Sequence, residues 1–250
     1  PSGETVLNYT RNTNSRLMYR IGDHKARNWQ KECKESPLPK YGGWASETIA
    51  DPHTLIMVNK YSQDGTRGIA LAKFILNHDI NATGRTPVID GFSSDWAETD
   101  DALYLDASET TNAAVRCSSD SDNVYFLVAT HHKTISKRDK VTLVFSPLAP
   151  GDVVTNGALR FTLLPDGRTS INRYNSGKWS SIECEADIKI ALGGTIDDNS
   201  DEDEGYIIEM KVSKEELNIS DGVAAFNASV YDAVANKTGE LEKVIYIRNL

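Results

Sequence analysis

Apolar residues along this chain come in short runs separated by clusters of Gly, Pro, Asn, Asp and Ser. That is the spacing of strands and turns rather than of long amphipathic helices. The densest stretch is 86–145. Residues 113–118 form one strand, 119–123 a polar turn, and 124–130 (VYFLVAT) a second strand with no polar break. A continuous apolar run of this length predicts a strand buried on both faces. Residues 140–146 have the same character. Downstream, strands are predicted at 159–164 and 169–174, around a Pro165-Asp166-Gly167 turn. After Asn175-Ser176-Gly177 a further strand starts at Trp179 and runs toward Cys184, and another covers 185–192. Residues 206–212 alternate as a half-buried strand should, and 223–231 and 243–248 complete the set. Ser213 followed by Glu216 is a capping-box pattern, so 213–217 reads as a single helical turn.

Upstream, 1–15 reads as irregular, 16–21 as a short strand and 22–43 as a long connection. Strands at 44–49, 54–60 and 68–76, with a turn at Gln63-Asp64-Gly65, form a meander. The fold class that follows is all-β: a two-sheet antiparallel β-sandwich preceded by an N-terminal β-meander segment.

Charge sharpens the division. Residues 1–84 carry 11 basic and 8 acidic side chains, a net +3, whereas the remainder carries 16 and 28, a net −12. The shift places a domain boundary at residues 83/84, giving an N-terminal strand segment, 1–83, and a sandwich, 84–250, with 78–83 as linker. The overall charge of −9 is the wrong sign for nucleic acid. No apolar run is long enough to cross a bilayer as a helix. Pro1, without an initiating Met, reads as the start of a processed or excised piece.

Three cysteines, Cys33, Cys117 and Cys184, cannot all pair with one another and lack metal-ligand spacing. They read as buried thiols, with a Cys117–Cys184 bridge as the alternative. Asn81, Asn218 and Asn227 open Asn-x-Ser/Thr triplets, which matter only where the source glycosylates. His131 and His132 end a strand without a third ligand at zinc spacing. The acidic loop 197–204 reads as solvated, and no cofactor is expected. Calcium on that loop is the one exception the pattern leaves open, although its order is not that of an EF-hand. Trp96 is expected as a core plug.

The pieces TPVIDG (86–91), AAVRC (113–117), NVYFLVATHH (123–132) and DKVTLVFS (139–146) are followed by ALRFTL (158–163), GYIIEMKVSKEEL (205–217) and GVAAFNASVYDA (222–233). In this order they resemble carbohydrate-binding module family 9, a two-sheet sandwich appended to secreted glycoside hydrolases. The resemblance implies a glycan partner, but both clamping Trp side chains of that family are absent. The first position reads Ser136-Lys137-Arg138-Asp139 and the second Gly239-Glu240-Leu241-Glu242. Thr142 stands where the family has Glu. Arg160 and Asp139 survive, and Ser229 and Tyr231 replace the family's polar pair. A sheet face carrying Arg160, Asp139, Ser229 and Tyr231 is therefore the expected sugar site. The ring pair Tyr174 and Trp179, flanking a Gly turn, is the alternative platform.

Residues 42–76 resemble the last blade of a sialidase-like β-propeller. That family uses a Tyr nucleophile, where this chain has Gly43-Trp44-Ala45, and Trp is no nucleophile. Arg20 and Arg67 read as surface residues rather than an arginine cluster, and Ser62-Gln63-Asp64-Gly65-Thr66 only echoes an Asp-box. The resemblance implies an upstream catalytic domain and a secreted, periplasmic or cell-surface parent. Three readings follow: a carbohydrate-binding or accessory module, a fragment of a sialidase-like glycoside hydrolase, or a structural sandwich that has lost its sugar site. The chain alone is expected to show no turnover on a chromogenic glycoside panel. Turnover abolished by a single Asp or Glu substitution would overturn that expectation.

Overall fold

The computed structural model describes residues 5–11, 16–22, 34–35, 41–51, 54–63, 66–75 and 79–250, the last without 98–99, 109, 147–153, 199, 201, 220–221 and 242–243. Cys33, the Asp64-Gly65 turn, His78, Glu242 and most of the connection 22–43 lie outside the described residues, as do the side chains of Arg20 and Trp44. The chain divides into two units, residues 1–76 and 77–250.

The first unit holds β1 (Thr5–Arg11), β2 (Arg16–Gly22) and β3 (Lys34–Glu35), paired antiparallel in that order. It also holds β4 (Tyr41–Asp51), β5 (Thr54–Gln63) and β6 (Thr66–Ile75), an antiparallel meander. β1 falls where an irregular segment was expected, because its backbone pairs residue for residue with β2. The meander has three strands among the described residues, where a propeller blade has four.

The second unit is the sandwich. Its strands are β7 (Ile80–Asn81), β8 (Ala102–Ser108), β9 (Thr111–Ser119), β10 (Asn123–His132) and β11 (Lys140–Ser146). Then come β12 (Leu159–Leu163), β13 (Thr169–Asn175), β14 (Lys178–Ser181) and β15 (Ala186–Leu192). Last are β16 (Tyr206–Ser213), β17 (Val223–Asp232), β18 (Lys237–Glu240) and β19 (Ile245–Arg248). One sheet runs β15-β16-β10-β9-β8, and the larger runs β14-β13-β12-β11-β17-β19-β7 with β18 on β17. All pairs are antiparallel except β19–β7. Residues 80–83 are therefore built into the sandwich rather than being a linker: β7 pairs with β19 and Thr83 bridges Ser118.

Alternation builds the core between the sheets. Val124, Phe126 and Val128 of β10 face Val141, Leu143 and Phe145 of β11, Phe161 of β12 and Phe226 of β17 across one buried cluster. The Phe126, Phe145 and Phe226 rings lie 5.0–5.7 Å apart, within the range in which aromatic pairs add to area burial. On one side the sheets meet directly, β18 against β8. A β-carbon on Gly239 would sit 2.4 Å from the backbone of Asp106, so only glycine allows that approach.

The expectation that β10 is buried on both faces holds. Its outward residues Tyr125 and Leu127 pack with Trp96, Ile89 and Ile207 in a second cluster. Residues 85–97 thus cover the outer face of β10 and β16 at the middle of the smaller sheet, and Trp96 is a plug there. Glu209 of β16 is fully buried beneath them. Its carboxyl oxygens accept N–H bonds from Asp90 (3.0 Å), Gly91 (2.7 Å) and Trp96 Nε1 (3.0 Å). Tyr125 reaches outward to donate its hydroxyl to Asp120 Oδ2 at 2.5 Å. Burial, together with that carboxylate, pushes the phenol up to about 12.

Two smaller expectations change. The segment after Ser213 is a run of turns rather than a helix, with half of the capping box formed: the Glu216 N–H donates to Ser213 Oγ at 3.0 Å. Cys117 and Cys184 are both free thiols, Cys117 buried inside the core and Cys184 half-buried, so they form no bridge.

Replacing Glu209 with Ala strands three N–H donors under the 85–97 segment, a loss of about 3–5 kcal/mol at about 1–3 kcal/mol for each unsatisfied group, less what relaxation recovers. The urea midpoint should fall accordingly. A midpoint equal to wild type would show that the segment is not held by this residue.

Candidate functional site

With the middle of the smaller sheet covered, the broad open surface is the outer face of the larger one. The buried partners in each strand fix which side chains reach it. In β12, Leu159, Phe161 and Leu163 are buried, so Arg160 and Thr162 point out. In β11 the same rule exposes Lys140, Thr142 and Val144, and in β17 Asn227, Ser229 and Tyr231. Register then sets their neighbours. Arg160 lies opposite Val144 on one side and Asn172 on the other. Thr142 lies between Thr162 and Ser229, and Lys140 lies opposite Tyr231. Tyr174 lies opposite Trp179.

Two cation–ring pairs mark the ends of this strip. The Arg160 guanidinium carbon sits 4.4 Å from the centre of the Trp179 ring, and its Nη2 donates to Asn172 Oδ1 at 3.3 Å. Trp179 meets Tyr174 edge-on with ring centres 5.2 Å apart. At the other end Lys140 Nζ lies 5.0 Å from the centre of the Tyr231 ring, whose hydroxyl donates to Asn236 Oδ1 at 3.0 Å. Between them the floor carries the hydroxyls of Thr162, Thr142 and Ser229. Arg160, Ser229 and Tyr231, and separately Tyr174 and Trp179, were two alternative sites in the sequence. The structure puts them on one face and joins them through the Arg160–Trp179 stack.

Asp139 does not belong there, which corrects the expectation for that residue. It is fully buried in the β10–β11 connection, where Ser136 N–H (2.7 Å) and Ala233 N–H (2.8 Å) donate to its oxygens. Its Oδ2 is 3.3 Å from Nδ1 of His132, also fully buried. The neighbouring Asp232 accepts from Ser108 Oγ (2.7 Å), Thr111 Oγ1 (2.8 Å) and the Ala235 N–H (2.8 Å). Burial works to raise the Asp232 carboxyl, but these donors and His132 hold it below the usual carboxylate range. The network locks β10, β17 and the β8–β9 turn together at one end of the sandwich.

His131 is exposed while His132 is buried. Among the described residues no three His, Cys, Asp or Glu side chains converge as a metal site. The acidic loop is largely exposed, as expected, with one buried residue among those described. Asp203 is buried and accepts from the Ile135 and Thr195 N–H groups. Asp197 pairs with Lys137 at 3.1 Å, which holds it below the usual range, and Glu202 pairs with Lys133 at 2.9 Å. Sequence reasoning did not find an open cleft of about 900 Å³ lined by Arg173, Asp187, Lys211 and Glu216, among others. It has no aromatic lining, and Arg173 is paired with Glu216 at 3.7 Å.

A two-sheet sandwich with one covered face and one open polar-aromatic face is the class that the fold defines. No family model matches the chain, and no curated protein matches it. Solved structures do. The chain is similar to a carbohydrate binding module family 9 from Caldicellulosiruptor kristjanssonii in complex with cellotriose. The identity is 14%, the match covers 68% of this chain and 92% of that one, and the TM-score is 0.51. The same organism's module in complex with glucose matches at 14% identity, 68% and 94% coverage and a TM-score of 0.50. At this identity the likeness is one of fold.

Asp139→Ala removes the acceptor of two buried N–H groups and should cost about 2–5 kcal/mol of stability. Thermal unfolding checks this. A variant as stable as wild type would restore Asp139 as a candidate for ligand contact.

Proposed function

We propose that the sandwich is a carbohydrate-binding or accessory module, and that the glycan lies across the outer face of the larger sheet between Trp179 and Tyr231. One observation carries the reading. Three hydroxyl-bearing positions, Thr162, Thr142 and Ser229, are placed side by side between two aromatic side chains on the open face of the larger sheet. Solved structures of similar fold are named as sugar complexes, with cellotriose and with glucose, which supports it. From the β14 to the β17 strand is four strand spacings, about 19 Å, so the strip suits a short oligosaccharide better than one sugar.

Affinity follows from the groups present. Hydrogen bonds to sugar hydroxyls compete with water and contribute about 0.5–1.5 kcal/mol each. Neither ring is one of a facing pair that could sandwich a sugar. Binding of a neutral sugar should therefore be weak, with a Kd on the order of millimolar, equivalent to about −4 kcal/mol. The parent is read as a secreted, periplasmic or surface protein acting on glycans, on the strength of the sequence resemblance.

Isothermal titration and a glycan array test the reading. Trp179→Ala and Arg160→Ala should each weaken whatever glycan binds by about tenfold, about 1.4 kcal/mol. Lys211→Ala, on the other sheet, should leave binding unchanged. No binding to any glycan would leave the sandwich a structural element.

A further inference from the structure

We infer that the ligand this face fits is acidic: an oligosaccharide carrying carboxylate or sulfate groups, one held at Arg160 and another at Lys140. The inference rests on the reading of the face as a glycan site and names its substrate class.

The argument starts from what covers the rings. A neutral sugar uses an aromatic ring by laying its C–H face on it. Here the guanidinium of Arg160 lies over Trp179 at 4.4 Å and the ammonium of Lys140 over Tyr231 at 5.0 Å. A ring face holding a cation is already occupied, so each platform is weakened for neutral sugars. The same contact fixes the cation. A guanidinium stacked on an indole is pre-organised, and its planar fork of donors matches a carboxylate or sulfate.

Neither cation has found an anion within the protein. Some basic side chains of this unit are paired, as Arg168 is with Asp166 (2.6 Å) and Arg248 with Asp79 (2.9 Å); what sets Arg160 and Lys140 apart from the rest is that each lies over an aromatic ring of the candidate face. Arg160 and Lys140 make no ion pair with any described residue. Arg160 is the less satisfied of the two. Its one acceptor is the Asn172 amide at 3.3 Å, and its Nε is buried without a hydrogen-bond partner. The carboxylate of Glu240 faces the same side, opposite Ser229, but stands two strands from Lys140. Two unneutralised cations thus share a face on a part of the chain whose net charge is −12 over residues 85–250. That excess of acid slows the approach of an anion from a distance. At physiological salt it is screened beyond about 8 Å, so the local pair decides once the ligand is seated.

Spacing sets the size of ligand. Lys140 is four residues along β11 from Val144, the partner of Arg160. At about 3.4 Å per residue and one strand spacing, the two positions are about 14 Å apart. That is the reach of a short acidic oligosaccharide with charges on separate sugars, with Thr142 and Thr162 beneath it.

The test titrates the whole chain with length-matched trisaccharides: neutral cellotriose, a trigalacturonate, and a sulfated galactan trimer, with inorganic sulfate as a fourth arm. At least one acidic trimer should bind about tenfold or more tightly than cellotriose, weaken at high salt, and lose its advantage in Arg160→Gln. Arg160→Lys should not restore it, because an ammonium lacks the fork. Lys140 is exposed, so Lys140→Gln keeps the fold and should lower the affinity of the acidic trimer. Which acidic trimer binds more tightly distinguishes carboxylate from sulfate. Cellotriose bound as well as the acids, and still sensitive to Trp179→Ala, would overturn the acidic preference while keeping the glycan face. Inorganic sulfate bound as well as the trimers would overturn it as an adventitious anion only. No binding of any trimer would remove both the preference and the glycan reading.

Discussion

Glu209 gathers three N–H donors from a segment more than 110 residues away in sequence, and the usable surface of the sandwich depends on that gathering. A carboxyl group in the apolar layer above a sheet is costly unless its oxygens are fully occupied. Here Asp90, Gly91 and Trp96 occupy them, and the ring of Trp96 closes over Tyr125 and Leu127. The result is a central strand buried on both sides, which gives β10 its unbroken apolar run. It also leaves the outer side of the larger sheet as the broad open face among the described residues of the sandwich. The position of the candidate site is thus decided on the opposite side of the sandwich from the site itself.

What could be read from the sequence followed from period and turn chemistry. The run 124–130 announced double burial because no half-exposed strand would tolerate Val, Tyr, Phe, Leu and Val in succession. The resemblance to family 9 modules, not period, put Arg160, Ser229 and Tyr231 on one face, and the burial alternation of β12 and β17 agrees with it. β1, the two-residue β3 and β7, β8 and β18 were not recognised. β8 (ALYLDAS) does alternate, with Leu103 and Leu105 inward and Tyr104 and Asp106 outward, but only as far as a register shift before Ser108, and β18 (KTGE) has no apolar residue at all. Its strand character comes entirely from pairing with β17 and from the room that Gly239 makes.

The candidate site was half legible. That Arg160 and Trp179 meet was available from turn geometry: the turns at Gly167 and Gly177 fix two successive hairpins and so set Arg160 against Asn172 and Tyr174 against Trp179. Counting register through both turns would have merged the two sites. Asp139 was not recoverable in this way. An Asp just before a strand reads the same whether it faces solvent or caps a buried N–H. Only the long-range approach of Ala233 and His132 turns it inward.

The contact at Gly239 has a consequence for how molecules meet one another. Because β18 lies on β8, the sandwich is sealed along that flank, and besides the two-residue β7 the longer free edges are those of β14 and β15 on the other. Those edges are not apolar ribbons: Lys178 and Ser180–Ser181 line one, and Asp187 and Lys189 interrupt the other. Charges on an edge discourage the addition of a foreign strand. A side chain at position 239 would pry the sealed flank open and expose β8, whose Leu103 and Leu105 are buried. The glycine therefore guards against sheet-to-sheet association as well as shaping a crossing.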